Sequence, residues 1–192
     1  MFKGNRKEDS TTNSTQQNTF IAPTIEISGN IKGEGAVQVE GILHGDLTVS
    51  SVVIGENGRV NGIINAKNVI INGELNGSLF ADNLEVMKNG KVSNEVKVKT
   101  LHISGEVNGS IESSERITVD TIGSVNATSM RSKNIEVNGA FTGKIIASEL
   151  LEIGRKGSVE GEITVKNIKT HEGGKLLGSM KIYENKTKSK KS

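Results

Sequence analysis

Apolar residues in this chain recur at a fixed place in a short motif, glycine–x–apolar–x–small, which runs through most of the sequence. Ten copies are present, and a glycine stands two residues before the apolar centre of every copy. From Leu43 onward the centres recur at nearly even steps, whereas the first step, from Ile31 to Leu43, is clearly shorter and predicts an incomplete first turn. The centres are Ile31, Leu43, Val60, Leu75, Val92, Val107, Val125, Phe141, Val159 and Leu176.

Between these motifs the residues alternate between apolar and polar, as around Val69 and Ile71. Alternation over a few residues is typical of short strands that bury one face. Short strands joined by regularly spaced glycine corners cannot form a sheet with long crossovers, but they can coil. A second apolar column follows four residues after most centres: Leu47, Ile64, Leu79, Val96, Ile111, Ile145, Ile163 and Met180.

The pattern therefore predicts an all-β fold, a single-domain parallel β-helix of about ten rungs. Three short faces per turn use about 17 residues, and rungs stack about 4.8 Å apart, so the rod would be about 45 Å long. The repeat slips near residues 127–133, where Ser129 and Arg131 stand at inward positions. Because burial of an unpaired arginine is costly, we expect a bulge there with Met130 pointing inward.

Composition agrees with a thin core and suggests where the solenoid begins and ends. A hydrophobic fraction of 33%, aromatics at 3% and 23 glycines suit a narrow aliphatic stack with many tight turns. We expect a disordered tail over residues 1–23, the β-helix over 24–182, and a disordered lysine-rich tail over 183–192. The chain has no cysteine, no apolar run long enough for a membrane-spanning helix and no apolar stretch typical of a secretory signal near its start, which predicts a cytoplasmic protein.

Several consecutive rungs resemble a known family. The run from Ile42 to Gly62, ILHGDLTVSSVVIGENGRVNG, and the following AKNVIINGELNGSLFADNLEV resemble the bactofilins, which are bacterial polymer-forming cytoskeletal proteins. The likeness covers about residues 24–182, a longer body than the family's usual domain. It implies a right-handed β-helix that polymerises head to head and tail to tail into filaments without nucleotide. It also implies that the filament recruits cell-wall or morphogenesis factors at the membrane.

The two ends of such a rod are candidate contact surfaces. A terminal rung exposes unpaired strand edges and an apolar cross-section unless something covers it. We therefore expect a homopolymer joined through these ends, and the alternative is a capped monomeric solenoid whose tails fold over them. The predicted N-terminal interface residues are Ile25, Ile27 and Ile31, and the predicted C-terminal ones are Leu176, Leu177, Met180 and Ile182.

Both tails carry cations. A bulky apolar residue beside cations can insert weakly into an anionic membrane, and a filament that carries many copies gains avidity. We expect attachment to the inner face of the cytoplasmic membrane, which the resemblance also implies; an ordinary solvated tail is the alternative. Residues 181–192 carry five lysines against one glutamate but adjoin no basic groove for stacked bases, so nucleic acid is not an expected partner. The predicted membrane contacts are Met1, Phe2, Lys3, Arg6 and Lys7.

The sequence shows no arrangement that indicates catalysis or a cofactor. His44, His102 and His171 fall at different points of their rungs and share no carboxylate, which predicts neither a metal site nor a catalytic triad. No phosphate-binding loop motif precedes a helical segment, so we expect no nucleotide. A left-handed β-helix acyltransferase is the main enzyme alternative, but its strict hexapeptide repeat differs from the alternation of shorter and longer steps here, which range from 15 to 18 residues. A secreted adhesin or ice-binding solenoid would need a secretion signal and a threonine-rich face.

Overall fold

The computed structural model describes residues 18–184, which form nineteen strands in one sheet. The early strands are two to four residues long, and those from Lys91 to Thr170 are 13 or 14 residues long. The strands are β1 (Asn18–Ile21), β2 (Glu26–Ser28), β3 (Ile31–Lys32), β4 (Ala36–Val39), β5 (Ile42–His44), β6 (Leu47–Thr48), β7 (Ser51–Ile54), β8 (Arg59–Asn61), β9 (Ile64–Asn65), β10 (Asn68–Ile71), β11 (Glu74–Asn76), β12 (Leu79–Phe80), β13 (Asn83–Val86), β14 (Lys91–Ile103), β15 (Glu106–Val119), β16 (Ser124–Val137), β17 (Ala140–Ile153), β18 (Ser158–Thr170) and β19 (Lys175–Ile182).

All strand pairings are parallel and join equivalent positions of successive turns, so the chain coils into a β-helix with three faces. Face 1 begins with β2, β5, β8 and β11, face 2 with β3, β6, β9 and β12, and face 3 with β1, β4, β7, β10 and β13. Strand β14 pairs with β11, β12 and β13 together, and from there each long strand passes through all three faces. The predicted all-β parallel solenoid of about ten turns is confirmed. Its handedness stays a prediction.

The core is a set of aliphatic columns that run along the axis. On face 1 the column passes from Ile27 through Leu43 and Val60 to Leu176, and on face 2 a second column ends at Met180. Side chains in the interior rungs are almost completely buried, for example Leu43 and Val60 at 0% exposure. Only small or aliphatic side chains fit this narrow stack in most rungs, which explains the low aromatic content.

The register of the first rung differs from the prediction. Ile27 pairs with Leu43, so Ile27 begins the face 1 column, and the first step is as long as the later ones. Ile31 pairs with Leu47 and therefore belongs to face 2. The prediction of a short, incomplete first turn was wrong, because the sequence Gly–Asn–Ile–Lys–Gly from Gly29 matches the motif out of phase. In the fold, Gly29 occupies the corner between faces 1 and 2.

The solenoid also begins earlier than predicted. Strand β1 (Asn18–Ile21) lies within the range 1–23 that was predicted as a tail, and it pairs with β4. Ile21 is 2% exposed and stacks against Val39, so it contributes to the core. Polar residues precede this strand and no glycine motif marks it, which is why composition suggested a tail.

The predicted irregularity near residues 127–133 is confirmed. Gly109 pairs with Ala127, but Ser110 pairs with Ser129, so Thr128 is an extra residue in the bulge. This insertion turns Met130 inward, where it is fully buried, and leaves the side chain of Arg131 exposed. The bulge thus avoids burial of an unpaired cation.

Candidate functional site: the two ends of the solenoid

The N-terminal end consists of β1, β2 and β3, each of which pairs on one side only within the described chain. Ile27 and Ile31 point into the core but stay half-buried, because no earlier rung among residues 18–184 covers them. Ile25 lies in the corner before β2 and is 46% exposed. The structure therefore brings Ile25, Ile27 and Ile31 together at this end, around an incompletely covered apolar cross-section.

Two further apolar residues of this end were missed by the sequence reasoning. Phe20 lies on the outer side of β1 with 59% of its surface exposed, whereas Ile21 points into the core. The available signal was the pair Phe20–Ile21 just before Pro23, in a segment that is otherwise polar. The pair was overlooked because it precedes the first copy of the glycine motif.

The C-terminal end consists of β19 and the final part of β18. Met180 and Ile182 stack on Ile163 and Val165 of the preceding rung. Met180 and Ile182 are 55% and 78% exposed, whereas Ile163 and Val165 are 1% and 4% exposed. Leu176 continues the face 1 column and is half-buried. A further rung placed on this end would bury these side chains as the interior rungs are buried.

Leu177 and Ile168 complete this end in different ways. Leu177 pairs with Glu160, so it lies on the outer side of face 1 and not in the axial column; it is 58% exposed. Ile168 stacks on Leu151 in face 3 and is 38% exposed, yet the sequence reasoning did not select it. Its signal is the spacing of the face 3 column, which is weaker here because lysines and an asparagine surround it.

The outer rims of the two ends differ in charge. Around the C-terminal end, residues 166–184 contain four lysines, Lys166, Lys169, Lys175 and Lys181, against two glutamates. Around the N-terminal end, residues 18–34 contain two glutamates and one lysine. The C-terminal end is therefore an apolar cross-section with a basic rim, and the N-terminal rim is weakly acidic.

Each of the three histidines pairs with a carboxylate of a neighbouring rung. The Nε2 atoms of His44, His102 and His171 lie 3.2, 2.8 and 2.6 Å from carboxylate oxygens of Glu26, Asp120 and Glu152. Three different carboxylates are involved, all at partly exposed positions, and no group of metal-binding side chains occurs within residues 18–184. The pairs therefore link neighbouring rungs.

Glu152 is the most strongly held of these acids. His171 and Lys169 both hydrogen-bond to its Oε1 atom, at 2.6 and 2.7 Å. The hydrogen bonds from His171 and then Lys169 hold the pKa of the Glu152 carboxyl below its usual value, although burial opposes this lowering. His171 lies in the corner between β18 and β19, so this cluster ties the C-terminal rung to the rung before it.

The predicted membrane contacts Met1, Phe2, Lys3, Arg6 and Lys7 lie outside the described residues. From residue 18 to residue 184, no helix is long and apolar enough to cross a membrane.

A family model described as Bactofilin, polymer-forming cytoskeletal, matches residues 19–104 and then residues 97–181. The chain belongs to the bactofilin family. The two matches together extend from β1 into β19, so this bactofilin carries the family pattern twice in one continuous solenoid. No curated protein and no solved structure matches the chain.

Membership settles the general class of the protein. Bactofilins are polymer-forming cytoskeletal proteins, so this chain is a structural protein and not an enzyme, and it associates with itself. The resemblance seen in the sequence from Ile42 onward is thereby confirmed.

Proposed function

We propose that this bactofilin assembles end to end into filaments through its two terminal rungs, without bound nucleotide. We propose further that the filament lies on the inner face of the cytoplasmic membrane and organises cell-shape or cell-wall proteins there. The observation that carries the first proposal is the pair of apolar ends, in a family that forms polymers.

Backbone pairing supports contact through the ends. The strands of the first and last rungs have hydrogen-bonding edges without partners among residues 18–184, and such edges readily pair with another chain. An end-to-end contact would satisfy these groups and bury the columns that stop at Ile31 and Met180. Because backbone pairing and apolar packing supply the attraction, the contact needs no nucleotide.

Burial of apolar side chains also supports the two ends of the solenoid as the contact surfaces. Fully burying an exposed aliphatic or methionine side chain contributes about 1.5–3 kcal/mol, and Met180 and Ile182 still expose 55% and 78% of their surface, so each would contribute a part of this. The proposed interface residues are Ile25, Ile27 and Ile31 at one end, and Leu176, Leu177, Met180 and Ile182 at the other. We add Phe20 and Ile168 because both are exposed at these ends.

Electron microscopy of the full chain tests the assembly. The unaltered protein should form filaments without nucleotide, and the Leu177→Arg, Met180→Arg variant should give short rods, because one cation would enter the apolar column at Met180 and another would add to the basic rim at Leu177. The matched control is Asn65→Arg, Asn126→Arg, which adds the same charge at exposed positions of interior rungs and should leave filaments intact. Monomers of the unaltered protein would contradict the proposal and favour a capped solenoid, and acetyl-CoA binding would then favour the acyltransferase alternative.

Membrane attachment rests on the N-terminal peptide and on avidity. Met1, Phe2, Lys3, Arg6 and Lys7 combine apolar and cationic side chains, and a single copy would bind an anionic surface weakly. In a filament many copies act together, which raises the overall affinity.

Vesicle sedimentation tests this attachment. Filaments should sediment with vesicles that contain anionic phosphatidylglycerol and not with purely zwitterionic ones. The Phe2→Ser variant should lose most of this binding while it still forms filaments. Equal binding by Phe2→Ser filaments would remove the peptide from the proposal and leave a solvated tail.

A further inference from the structure

The corner that precedes face 1 is occupied by glycine in all the described rungs except the first. Strand β2 pairs with β5 so that Glu26 aligns with Ile42, which places Ile25 at the position that Gly41 holds in the next rung. The first rung therefore carries a branched apolar residue where the others have no side chain. The glycines of this corner are Gly41, Gly58, Gly73, Gly90, Gly105, Gly123, Gly139, Gly157 and Gly174.

These glycines are required by the rung that precedes each of them. A Cβ atom at Gly41 would overlap the backbone carbonyl oxygens of Ile25 and Ala22, and a Cβ at Gly123 would lie 2.6 Å from the carbonyl oxygen of Ile103. The same direction holds at Gly174, where a Cβ would lie 2.9 Å from the Gly154 oxygen. At this corner a Cβ therefore points along the axis towards the N-terminal end.

Ile25 has no preceding described rung, so its side chain is directed off the N-terminal end. On the proposed function of end-to-end assembly, we infer that Ile25 prevents the C-terminal rung of a second copy from adding in register to the N-terminal rung. In such a joint, the backbone carbonyl oxygens of the Gly174 corner in the second copy would lie next to Ile25. They would occupy the positions that the carbonyl oxygens of Ile25 and Ala22 occupy next to Gly41. The Cβ of Ile25 would then overlap them.

The corner between faces 1 and 2 would permit such a joint, so the steric obstacle that we infer lies at Ile25. At the corner between faces 1 and 2, Gly29 retains glycine with φ of 145° and has open space where a Cβ would point. The rim charges neither favour nor oppose a joint between unlike ends. Glu26 would lie opposite Lys175, which is attractive, and Lys32 would lie opposite Lys181, which is repulsive. Blocking joints between unlike ends is consistent with the joining of like ends that the family resemblance implies.

Cysteine cross-linking can test this, because the chain contains no native cysteine. In an in-register joint between unlike ends, positions 26 and 175 would be paired as Glu26 and Ile42 are, within reach of a disulfide. We would mix a size-tagged Glu26→Cys chain with a Lys175→Cys chain, oxidise them, and measure the heterodimer on a non-reducing gel. The two chains would be prepared with Ile25, with Ile25→Gly and with Ile25→Ala.

The expected result is little heterodimer with Ile25 and about tenfold more with Ile25→Gly, which corresponds to about 1.4 kcal/mol. Ile25→Ala is the matched control, because it removes the apolar branches but keeps the Cβ, and it should behave like the unaltered residue. A double variant Glu74→Cys, Lys91→Cys, at paired positions of adjacent interior rungs, verifies that this geometry oxidises.

The outcomes separate the inference from the proposed function. Equal heterodimer in all three backgrounds, or an increase with Ile25→Ala as large as with Ile25→Gly, would overturn the role of Ile25 while filaments persist. No increase with Ile25→Gly, although the interior pair oxidises, would overturn it as well. Absence of filaments from the unaltered full chain would overturn the proposed assembly itself, and the inference with it.

Discussion

The Nε2 atom of His171 lies 2.6 Å from Oε1 of Glu152, which joins the corner between β18 and β19 to strand β17 of the preceding rung. Lys169 contacts the same oxygen at 2.7 Å. Both groups favour the ionised form of Glu152, so the folded protein holds this carboxyl at a lower pKa than the unfolded chain does.

Glu152 should therefore stabilise the fold above its ordinary pKa, and this contribution should disappear as the pH falls through the lower pKa of the folded state. We predict that Glu152→Gln lowers the melting temperature at neutral pH and that the difference from the unaltered protein shrinks below about pH 4.5. Circular dichroism melts over a pH series would measure this. Glu160→Gln, at an exposed position for which no ion pair occurs within residues 18–184, should show little effect at any pH.

Corner glycines should differ sharply in their tolerance of alanine. Gly77 has φ of 156°, and a Cβ there would overlap the backbone of Gly62 in the preceding rung. We expect backbone strain in Gly77→Ala to lower the free energy of unfolding by about 1–3 kcal/mol, and the overlap with Gly62 to lower it further. Gly33→Ala is the control, since open space surrounds that position, and it should change the free energy by less than about 0.5 kcal/mol. Similar denaturation midpoints for the two variants would contradict this.

Alanine substitutions of two buried serines should change the free energy of unfolding in opposite directions. The Ser113 hydroxyl donates to the Lys99 carbonyl oxygen at 2.5 Å, whereas the Ser132 hydroxyl is buried without a hydrogen-bond partner among the described residues. Ser113→Ala should lower the free energy of unfolding by about 1–2 kcal/mol, and Ser132→Ala should raise it by about 1 kcal/mol. Urea denaturation would compare them directly. Destabilisation by Ser132→Ala would mean that the bulge next to Met130 satisfies this hydroxyl in solution.

The sequence was sufficient for the fold class because the glycine corners and inward columns repeat with every rung from Leu43 onward. The sequence pattern failed in the first rung for a specific reason. The residues around Ile31 match the glycine motif, but Ile31 lies on face 2, whereas the centres of the other copies lie on face 1. Correct phasing requires a pairing between Ile27 and Leu43 that leaves Ile25 at a glycine position. Local pattern alone does not contain this information, since it depends on how the first described rung pairs with the second.

The end surfaces were predicted in part for a similar reason. Met180 and Ile182 follow the inward columns, so spacing identified them. Leu176 and Leu177 are consecutive apolar residues, and only the pairing of Leu177 with Glu160 shows that Leu177 faces outward. Ile168 and Phe20 lie among polar residues, where a short apolar signal has little contrast with its surroundings.

The charge of the C-terminal rim gives a prediction about salt. If copies join through like ends, two C-terminal rims face each other, and each contributes four lysines against two glutamates over residues 166–184. Repulsion between partly exposed cations opposes such a joint. Salt screens this repulsion, with a screening length of about 10 Å at 0.1 M ionic strength. We therefore expect the critical concentration for assembly, measured by light scattering and sedimentation, to fall as sodium chloride is raised.

Lys175→Glu should weaken this dependence by reducing the rim charge, whereas Lys67→Glu, in an interior rung, should leave it unchanged. If salt instead dissolved the filaments, attraction between unlike rims would dominate the joint, and like-end assembly would be wrong.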